Sequence, residues 1–295
     1  MDREKLKTVL IIILVAALVP AAAYRYKAAR DPYAREIPVF TYHRICPDEE
    51  YASFSREKDL WTKTSDFEKE MRWLHRHGYR TVSMDELYRW HQGRLDLPKK
   101  TVAITFDDGY YSVIRYALPI MEKYHIKGTM FVIGNMVTEH QDTEDPMAYV
   151  SRDTIRELRR TCPELEFQSH SYGLHHDSNR NAVIYRTKYP GILRDFRRQE
   201  KVLGKGVDVI AYPYGYRTEG FEKAARKSGY RMAFLYGQQR GVRRSDSLFS
   251  LPRIGVRGDV DPDVAFFQVA RGRSVTGGDR RKHAAATWTM EDTAI

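Results

Sequence analysis

At residues 101–110 the chain reads Thr-Val-Ala-Ile-Thr-Phe-Asp-Asp-Gly-Tyr, and the rest of the sequence is organised around this stretch. The apolar run that ends at Phe106 is typical of a strand buried on both faces. Asp107 and Asp108 follow it directly. Because adjacent residues at the end of a strand point in different directions, one aspartate can bind a metal while its neighbour faces a substrate. Taken alone, the stretch favours the simpler interpretation, a strand that ends in an Asp-Gly turn.

Strands and helices alternate through most of residues 37–270. Short apolar runs predict strands at 37–42, 101–106, 128–133, 165–169 and 209–212. Residues 65–77 are predicted to be helical, since Phe67, Met71 and Leu74 share one face and Ser65 with Glu68 forms a capping box. Residues 48–63 have no clear period and are predicted to be a loop. Further helices are predicted at 111–124, with a kink at Pro119, and at 186–203. This alternation predicts an α/β fold of parallel strands with helical crossovers. Seven or eight such repeats favour a barrel over an open sheet.

Charge and cysteine content exclude some classes of function. The chain has 295 residues and a net charge of +10, which suits an anionic partner such as an acidic polymer or a membrane surface. It carries none of the common nucleic-acid-binding motifs, so we expect no nucleic-acid partner. Its two cysteines, Cys46 and Cys162, form no Cys-x-x-Cys pattern, which argues against thiolate zinc and dithiol redox sites. The sequence leaves a Cys46–Cys162 disulfide open.

Four polar clusters each follow a predicted strand. They are His43, Asp107-Asp108, the segment from His170 to His175, and Pro213-Tyr214. The carboxyl ends of the strands of a parallel barrel meet at one rim, where the active site is built. The sequence therefore predicts that these clusters, although distant along the chain, lie close together.

One carboxylate and two imidazoles in such a cluster suit a divalent metal with open coordination positions. Gly173 lies between His170 and His175, so that the chain can bend and direct both rings at one ion. His176 is an alternative to His175. The expected cofactor is one divalent ion, with zinc favoured and cobalt, nickel or iron as alternatives.

These motifs resemble those of the NodB-type polysaccharide deacetylases, carbohydrate esterase family 4. Residues 105–109 (Thr-Phe-Asp-Asp-Gly) resemble the family's first motif, residues 170–175 its metal-binding second motif, and residues 211–215 (Ala-Tyr-Pro-Tyr-Gly) its third. The resemblance runs over about residues 37–257. It implies a distorted (β/α) barrel and metal-dependent removal of N-acetyl groups from amino-sugar polymers.

The resemblance also implies roles for individual residues. Asp108, His170 and His175 correspond to the metal ligands, and Asp107 to the general base. Tyr214 corresponds to a residue that lines the site and offers its backbone N–H to the oxyanion, and its neighbour Pro213 and Tyr110 are further candidates for substrate binding.

The sequence departs from the common pattern of the family in three places, and these point to one branch of it. The two histidines are five residues apart, which is similar to the branch that acts on poly-β-1,6-N-acetylglucosamine. Ala211 stands where the third motif usually has the arginine that orients the base, and Arg217 or Arg253 could replace it. The late histidine that supplies the acid is missing between His176 and His283. His43 resembles the early histidine that acts as acid in that branch.

We therefore expect an enzyme, a hydrolase that removes N-acetyl groups from an N-acetylglucosamine-containing polysaccharide. Peptidoglycan or chitin oligomers are the alternative substrates. The missing arginine of the third motif also keeps open a carbohydrate-binding module on the same fold that has no catalytic activity.

Residues 8–24 carry no charge and are dominated by Leu, Ile, Val and Ala. Such a segment reaches the lower limit of about 17–25 residues for a membrane-spanning helix. It fits either a signal anchor that contacts the membrane or a signal peptide cleaved near residues 21–23. We expect a membrane-anchored or secreted protein with its catalytic domain outside the cytoplasm, although the basic residues after the segment leave its orientation open. The expected division is an N-terminal segment (1–36), a catalytic domain (37–270) and a disordered tail (271–295).

Overall fold

The computed structural model describes residues 32–54, 58–176 and 183–258, together with Lys7, Leu18 and Phe266. In these residues the strands are β1 (Glu36–Ile37), β2 (Val39–Tyr42), β3 (Arg44–Cys46), β4 (Trp61–Lys63), β5 (Arg80–Thr81), β6 (Thr101–Phe106), β7 (Gly128–Val132), β8 (Leu165–Ser169), β9 (Val209–Ala211), β10 (Met232–Phe234), β11 (Val242–Arg243) and β12 (Ile254–Gly255). The helices are α1 (Thr64–Arg76), α2 (Met84–His91), α3 (Leu118–Tyr124), α4 (Arg152–Thr161), α5 (Val183–Arg186), α6 (Tyr189–Leu203) and α7 (Glu219–Lys227).

The main sheet has the strand order β10-β9-β8-β7-β6-β2-β12, and β5 also pairs with β6. All of these pairings are parallel. The sheet is curled, and the evidence is that residues 251–255 contact strands near both of its ends. Leu251 forms a bridge with Phe234 of β10, and β12 pairs with β2. The predicted α/β class with about seven parallel strands is confirmed. The predicted hydrophobic helix at 8–24 lies outside the described residues, except for Leu18.

The strands are buried on both faces, as their composition predicts. Inside the curled sheet, Val39, Ala103 and Phe131 pack together in one apolar cluster. Their neighbours Phe40 and Ile104 point outwards and pack in a second cluster with side chains of α1 and α3. This alternation gives each strand one face inside the curled sheet and one beneath the helices.

Two local predictions near α1 are wrong. The N-cap of α1 is Lys63, and the backbone N–H of Ser65 donates to the side chain of Asp48 (3.1 Å), so the capping box with Glu68 does not form. The region 48–63, predicted as a loop, contains β4, which pairs with β3. Both differences arise from contacts with the chain before the helix, which local patterns do not report.

The break expected at Pro119 is present. A π-helical segment, Val113–Ala117, precedes α3, and Pro119 lies in the first turn of α3, where its missing N–H costs nothing. Cys46 and Cys162 are buried free thiols. Among the described residues, none of the helices combines the length and apolar character needed to cross a bilayer. The division into N-terminal segment, catalytic domain and tail stays a prediction.

Candidate active site

The parallel register brings the predicted clusters to one rim of the sheet. Tyr42 pairs with Phe106, and the N–H of Asp107 donates to the carbonyl of Tyr42 (2.9 Å), so His43 starts beside the two aspartates. On the other side of β6, the N–H of His170 donates to the carbonyl of Val132, the last residue of β7 (3.0 Å). The expected convergence of strand ends is therefore observed.

Asp108, His170 and His175 form a compact group of potential metal ligands. Oδ1 of Asp108 lies 3.5 Å from Nε2 of His170 and 3.4 Å from Nε2 of His175. One ligand atom from each residue lies within 4.8 Å of the others. Oδ1 of Asp108 is buried and has no hydrogen-bond partner among the described residues. A buried carboxylate oxygen beside two imidazole nitrogens is the donor set expected for a divalent cation, so these residues fit the implied metal.

The ring of His170 is held by its other nitrogen. Its Nδ1 lies 2.9 Å from the carbonyl oxygen of Ala211, which accepts the Nδ1 proton and leaves the Nε2 lone pair facing the cluster. Burial lowers the pKa of His170, but the charges of Asp107 and Asp108 outweigh it and raise the pKa above its usual value. A proton and a metal ion therefore compete for Nε2.

His175, not His176, completes the group. Burial lowers the pKa of His175 to about 4, so its ring is neutral at pH 7 and available as a ligand. The ring also packs on Tyr214, with centroids 4.1 Å apart. His176 instead lies 3.2 Å from the side-chain amide of Asn135. The geometry thus selects between the two histidines that the sequence left open.

Asp107 points to a different partner. Its two oxygens accept hydrogen bonds from the guanidinium of Arg253 at 2.6 and 2.7 Å, and Arg253 is fully buried. The Nε–H of Arg253 donates to the carbonyl of Leu235 (2.8 Å). Burial alone would raise the pKa of Asp107, but the charge of Arg253, followed by that of His170, lowers it. Asp107 is therefore ionised at neutral pH, as a general base must be.

Arg253 thus makes the contact with the predicted base that the resemblance implies for the arginine missing at Ala211. The other candidate, Arg217, pairs with Glu222 at 2.6 Å and is half exposed. Of the two arginines that the sequence suggested, only Arg253 contacts the predicted base.

His43 is buried at the end of β2, and its ring meets that of Tyr236 edge-on, with centroids 5.5 Å apart. Its Nδ1 has no hydrogen-bond partner among the described residues. Burial lowers the pKa of His43, and the charges of Asp108 and Asp107 oppose this shift only in part. The predicted acid therefore lies within the same electrostatic environment as the base and the ligand group.

The remaining predicted residues border this group. Pro213 is buried in the turn that carries Tyr214. Tyr110 is 5% exposed, and its hydroxyl accepts a hydrogen bond from Arg44 (2.7 Å).

The loop between the two histidines is fixed by a residue that the sequence analysis did not identify. Both oxygens of Asp195, on α6, accept backbone N–H groups of the loop, from Tyr172 (2.8 Å) and Gly173 (2.7 Å). One signal was available: Asp195 and Gln199 are polar residues on the otherwise apolar face of a predicted helix.

Three non-glycine residues of the site have a positive φ angle: Asp108 (70°), Ser171 (67°) and Tyr214 (55°). Such left-handed backbone is costly for these residues and tends to occur where function requires it. Each of the three lies in, or next to, one of the predicted motifs.

Known polysaccharide deacetylases are similar in sequence to this chain. The profile of the family described as polysaccharide deacetylase matches residues 94–233. A poly-beta-1,6-N-acetyl-D-glucosamine N-deacetylase of Staphylococcus aureus (strain MSSA476) is 28% identical over 215 residues, which cover 71% of this chain and 72% of the relative. Residues 94–233 therefore match the polysaccharide deacetylase family, and the similarity to the relative extends over 71% of the chain. The motif resemblance and the assignment to an enzyme family are thereby confirmed.

Two solved structures have a similar fold. IcaB from Ammonifex degensii is 26% identical, with a TM-score of 0.64 over 81% of this chain and 97% of that chain. The Streptococcus pyogenes deacetylase PplD, solved in complex with acetate, is 24% identical, with a TM-score of 0.63 over 80% of this chain and 98% of that chain. At that identity PplD supports the fold alone.

Proposed function

We propose that this polysaccharide deacetylase hydrolyses the N-acetyl groups of poly-β-1,6-N-acetylglucosamine with the help of one divalent metal ion, zinc being favoured. The observation that carries the proposal is the convergence of Asp108, His170 and His175 around an unpartnered carboxylate oxygen, beside an ionised Asp107. The name of the S. aureus relative and the five-residue separation of the two histidines support the choice of polymer.

Asp108, His170 and His175 would hold the ion. When bound, a divalent cation supplies Lewis-acid charge that polarises a carbonyl group and makes water more acidic. Arg253 keeps Asp107 ionised and oriented, so that Asp107 accepts a proton from the attacking water as oxygen bonds to the acetyl carbon. The backbone N–H of Tyr214 is the candidate donor to the resulting oxyanion.

The second half of the reaction breaks the carbon–nitrogen bond. His43 donates a proton to the departing nitrogen, and the products are acetate and a free amine on the sugar. The burial of His43 and of Asp107 shields this proton transfer from bulk water. These five side chains at the rim thus provide a base, an acid and a ligand group for one hydrolysis.

The alternatives have less support. A non-catalytic binding module was motivated by the missing arginine of the third motif, and the bidentate contact of Arg253 with Asp107 removes that motive. Peptidoglycan and chitin oligomers remain as competing substrates and are separate arms of the test.

The test is acetate release by purified, zinc-loaded protein from three oligomers: β-1,6-linked N-acetylglucosamine, chitin and peptidoglycan fragments. We expect the β-1,6-linked oligomer to be the best substrate, and a chelator to abolish its turnover, with recovery when zinc is added back. Asp107→Asn serves as the inactive control. Equal or faster turnover of another oligomer would reject the proposed polymer, and no acetate from any of them would reject the deacetylase function.

We also propose that the protein acts outside the cytoplasm, either anchored by residues 8–24 or secreted. The support is the uncharged apolar composition of this segment after Arg3, Lys5 and Lys7. Protease treatment of intact cells expressing the full chain tests the location. Degradation of the catalytic domain is expected, and full protection in intact but not in lysed cells would contradict it.

A further inference from the structure

A row of tyrosine rings leads from the candidate metal site to the surface. The first contact is that of Tyr214 with His175, at 4.1 Å between centroids. Tyr216 follows at 5.9 Å from Tyr214, and Tyr185 at 5.2 Å from Tyr216. Tyr185 is 49% exposed, whereas Tyr214 and Tyr216 are half-buried. These three tyrosines form the tyrosine row. Each ring lies next to the one before it, and the first ring contacts a proposed metal ligand.

The backbone explains why the rings are aligned. Tyr214 and Gly215 both have positive φ angles, 55° and 73°, which turn the chain sharply between Tyr214 and Tyr216. Glycine is required at 215, since a Cβ there would lie 2.8 Å from the backbone nitrogen of Tyr236. On α5, Ile184 is buried in the core, and the next residue, Tyr185, is left at the surface.

We propose that the tyrosine row is a binding subsite for the sugar units next to the one that is deacetylated. This inference rests on the proposed function and locates where its polymer would bind beyond the reacting sugar. The C–H faces of a pyranose ring are apolar and stack on aromatic rings, and sites for such ligands are lined by aromatic side chains with a few polar groups. Because the row is continuous with the catalytic group through His175, a chain with one acetamide at the metal site would pass over it.

A second exposed tyrosine provides a matched comparison. Tyr33 is also 49% exposed, but it lies at the amino-terminal ends of the strands, where it forms a bridge with Pro98 just before β6. Single exposed aromatic residues of this kind are common and need no functional explanation. Tyr185 differs because its ring continues a row that reaches the active site.

The experiment compares Tyr185→Ala with Tyr33→Ala in the zinc-loaded full chain. The measured quantity is the ratio of kcat/KM for a hexamer to that for a dimer of β-1,6-linked N-acetylglucosamine. Loss of the outermost ring should lower this ratio about tenfold, a change that corresponds to about 1.4 kcal/mol, mainly through a higher KM for the hexamer. Tyr33→Ala should leave the ratio as in the wild type, and Tyr185→Phe should keep it, since a phenyl face stacks as well. An unaltered ratio in Tyr185→Ala, or the same loss in Tyr33→Ala, would overturn the subsite.

Calorimetric titration of the hexamer separates this inference from the proposed function. If the wild type releases no acetate from either oligomer, the proposed reaction has failed. The dissociation constant for the hexamer still reports on the row, and it should rise about tenfold in Tyr185→Ala relative to the wild type and to Tyr33→Ala. Equal dissociation constants in all three proteins would reject the subsite whatever the activity.

Discussion

The two aspartates at the end of β6 are neighbours in sequence but have opposite surroundings. Asp107 turns into the interior of the curled sheet, where the buried guanidinium of Arg253 donates to both of its oxygens. Asp108 lies at the rim, and its buried Oδ1 faces two imidazole nitrogens with no hydrogen-bond donor among the described residues. Arg253 neutralises the charge of Asp107 within the protein. Asp108 instead faces groups that suit a cation from solution.

This difference shows how one strand end can serve two purposes. Burial alone would raise the pKa of both carboxyl groups. For Asp107, the charge of Arg253 reverses the shift, and for Asp108 the charge of His175 is the largest opposing effect. Substitutions of Asp108 and its neighbours should therefore alter metal binding. Substitutions of Asp107 and Arg253 should alter proton transfer without loss of the metal.

The largest effect is expected for Asp108→Asn. Without this ligand, several kcal/mol of metal-derived stabilisation are lost, so that acetate release should fall by about 10³-fold or more. Bound zinc, measured by mass spectrometry of the purified protein, should fall with it. Asp107→Asn should be equally inactive but should keep its zinc. The contrast between the two sites fails if Asp107→Asn also loses zinc, or if Asp108→Asn keeps it.

Arg253→Met should leave the Asp107 charge buried without a partner, at a cost of about 3–5 kcal/mol in unfolding free energy. Because Arg253 lowers the pKa of Asp107, its removal should raise that pKa. The base is active when deprotonated, so the acidic limb of the kcat/KM profile should move to higher pH. Urea unfolding and a pH–rate profile measure the two effects.

Arg217→Ala is the matched control for Arg253→Met. Its guanidinium is half exposed and pairs with Glu222, so unfolding free energy should change by less than about 0.5 kcal/mol. A pH profile that moves in Arg217→Ala but not in Arg253→Met would show that the wrong arginine has been assigned to the base.

His43→Gln should lower kcat by about 10²-fold, the lower end of the range for loss of a general acid, since water can still protonate the amine. Zinc content should be retained, because His43 is not in the ligand group. His140→Gln, at a side chain that is 87% exposed, should have no effect on kcat. Normal turnover by His43→Gln would remove His43 from the mechanism.

Glu70 is another buried carboxyl group, and among the described residues it pairs with neither an arginine nor the proposed metal ligands. Its Oε2 accepts a hydrogen bond from Tyr42 (2.6 Å), and burial raises its pKa to about 8. The folded protein thus holds a proton that the unfolded chain releases above about pH 4.3. Unfolding free energy should fall as pH rises from there to about 8, by at most about 1.4 kcal/mol per pH unit, and then level off.

Glu70→Gln tests this prediction, since the amide does not titrate. Thermal unfolding at several pH values should show a smaller decline for the variant than for the wild type over that window. Identical declines in the two proteins would show that Glu70 is ionised at neutral pH despite its burial.

The sequence predicted the parts of the site that follow strands. The convergence of Asp107, Asp108, His170 and His175 could be predicted because a parallel fold brings all strand ends to one rim, whatever the details of the loops. His175 could be separated from His176 only by the fold, because adjacent residues in a loop have no fixed direction.

The residues that support the site were harder to predict from the sequence than the residues at the strand ends. The sequence offered Arg253 and Arg217 as equal candidates, because Arg253 is 146 residues from Asp107 and lies in an irregular segment after Pro252, where no local pattern shows its contact with the base. Asp195 acts through two backbone N–H groups of a distant loop, and only its place on an apolar helix face indicated that it was unusual. The short strand β4 depends on its pairing with β3, which three residues of local sequence do not reveal.

The most direct test of the division between the two aspartates is a crystal structure of the zinc-loaded protein, with anomalous diffraction measured at the zinc edge. We predict one zinc ion, about 2.0–2.2 Å from Oδ1 of Asp108 and from Nε2 of His170 and His175, with Asp107 still bound to Arg253. An ion held by other residues, or by Asp107 after its release from Arg253, would contradict the account.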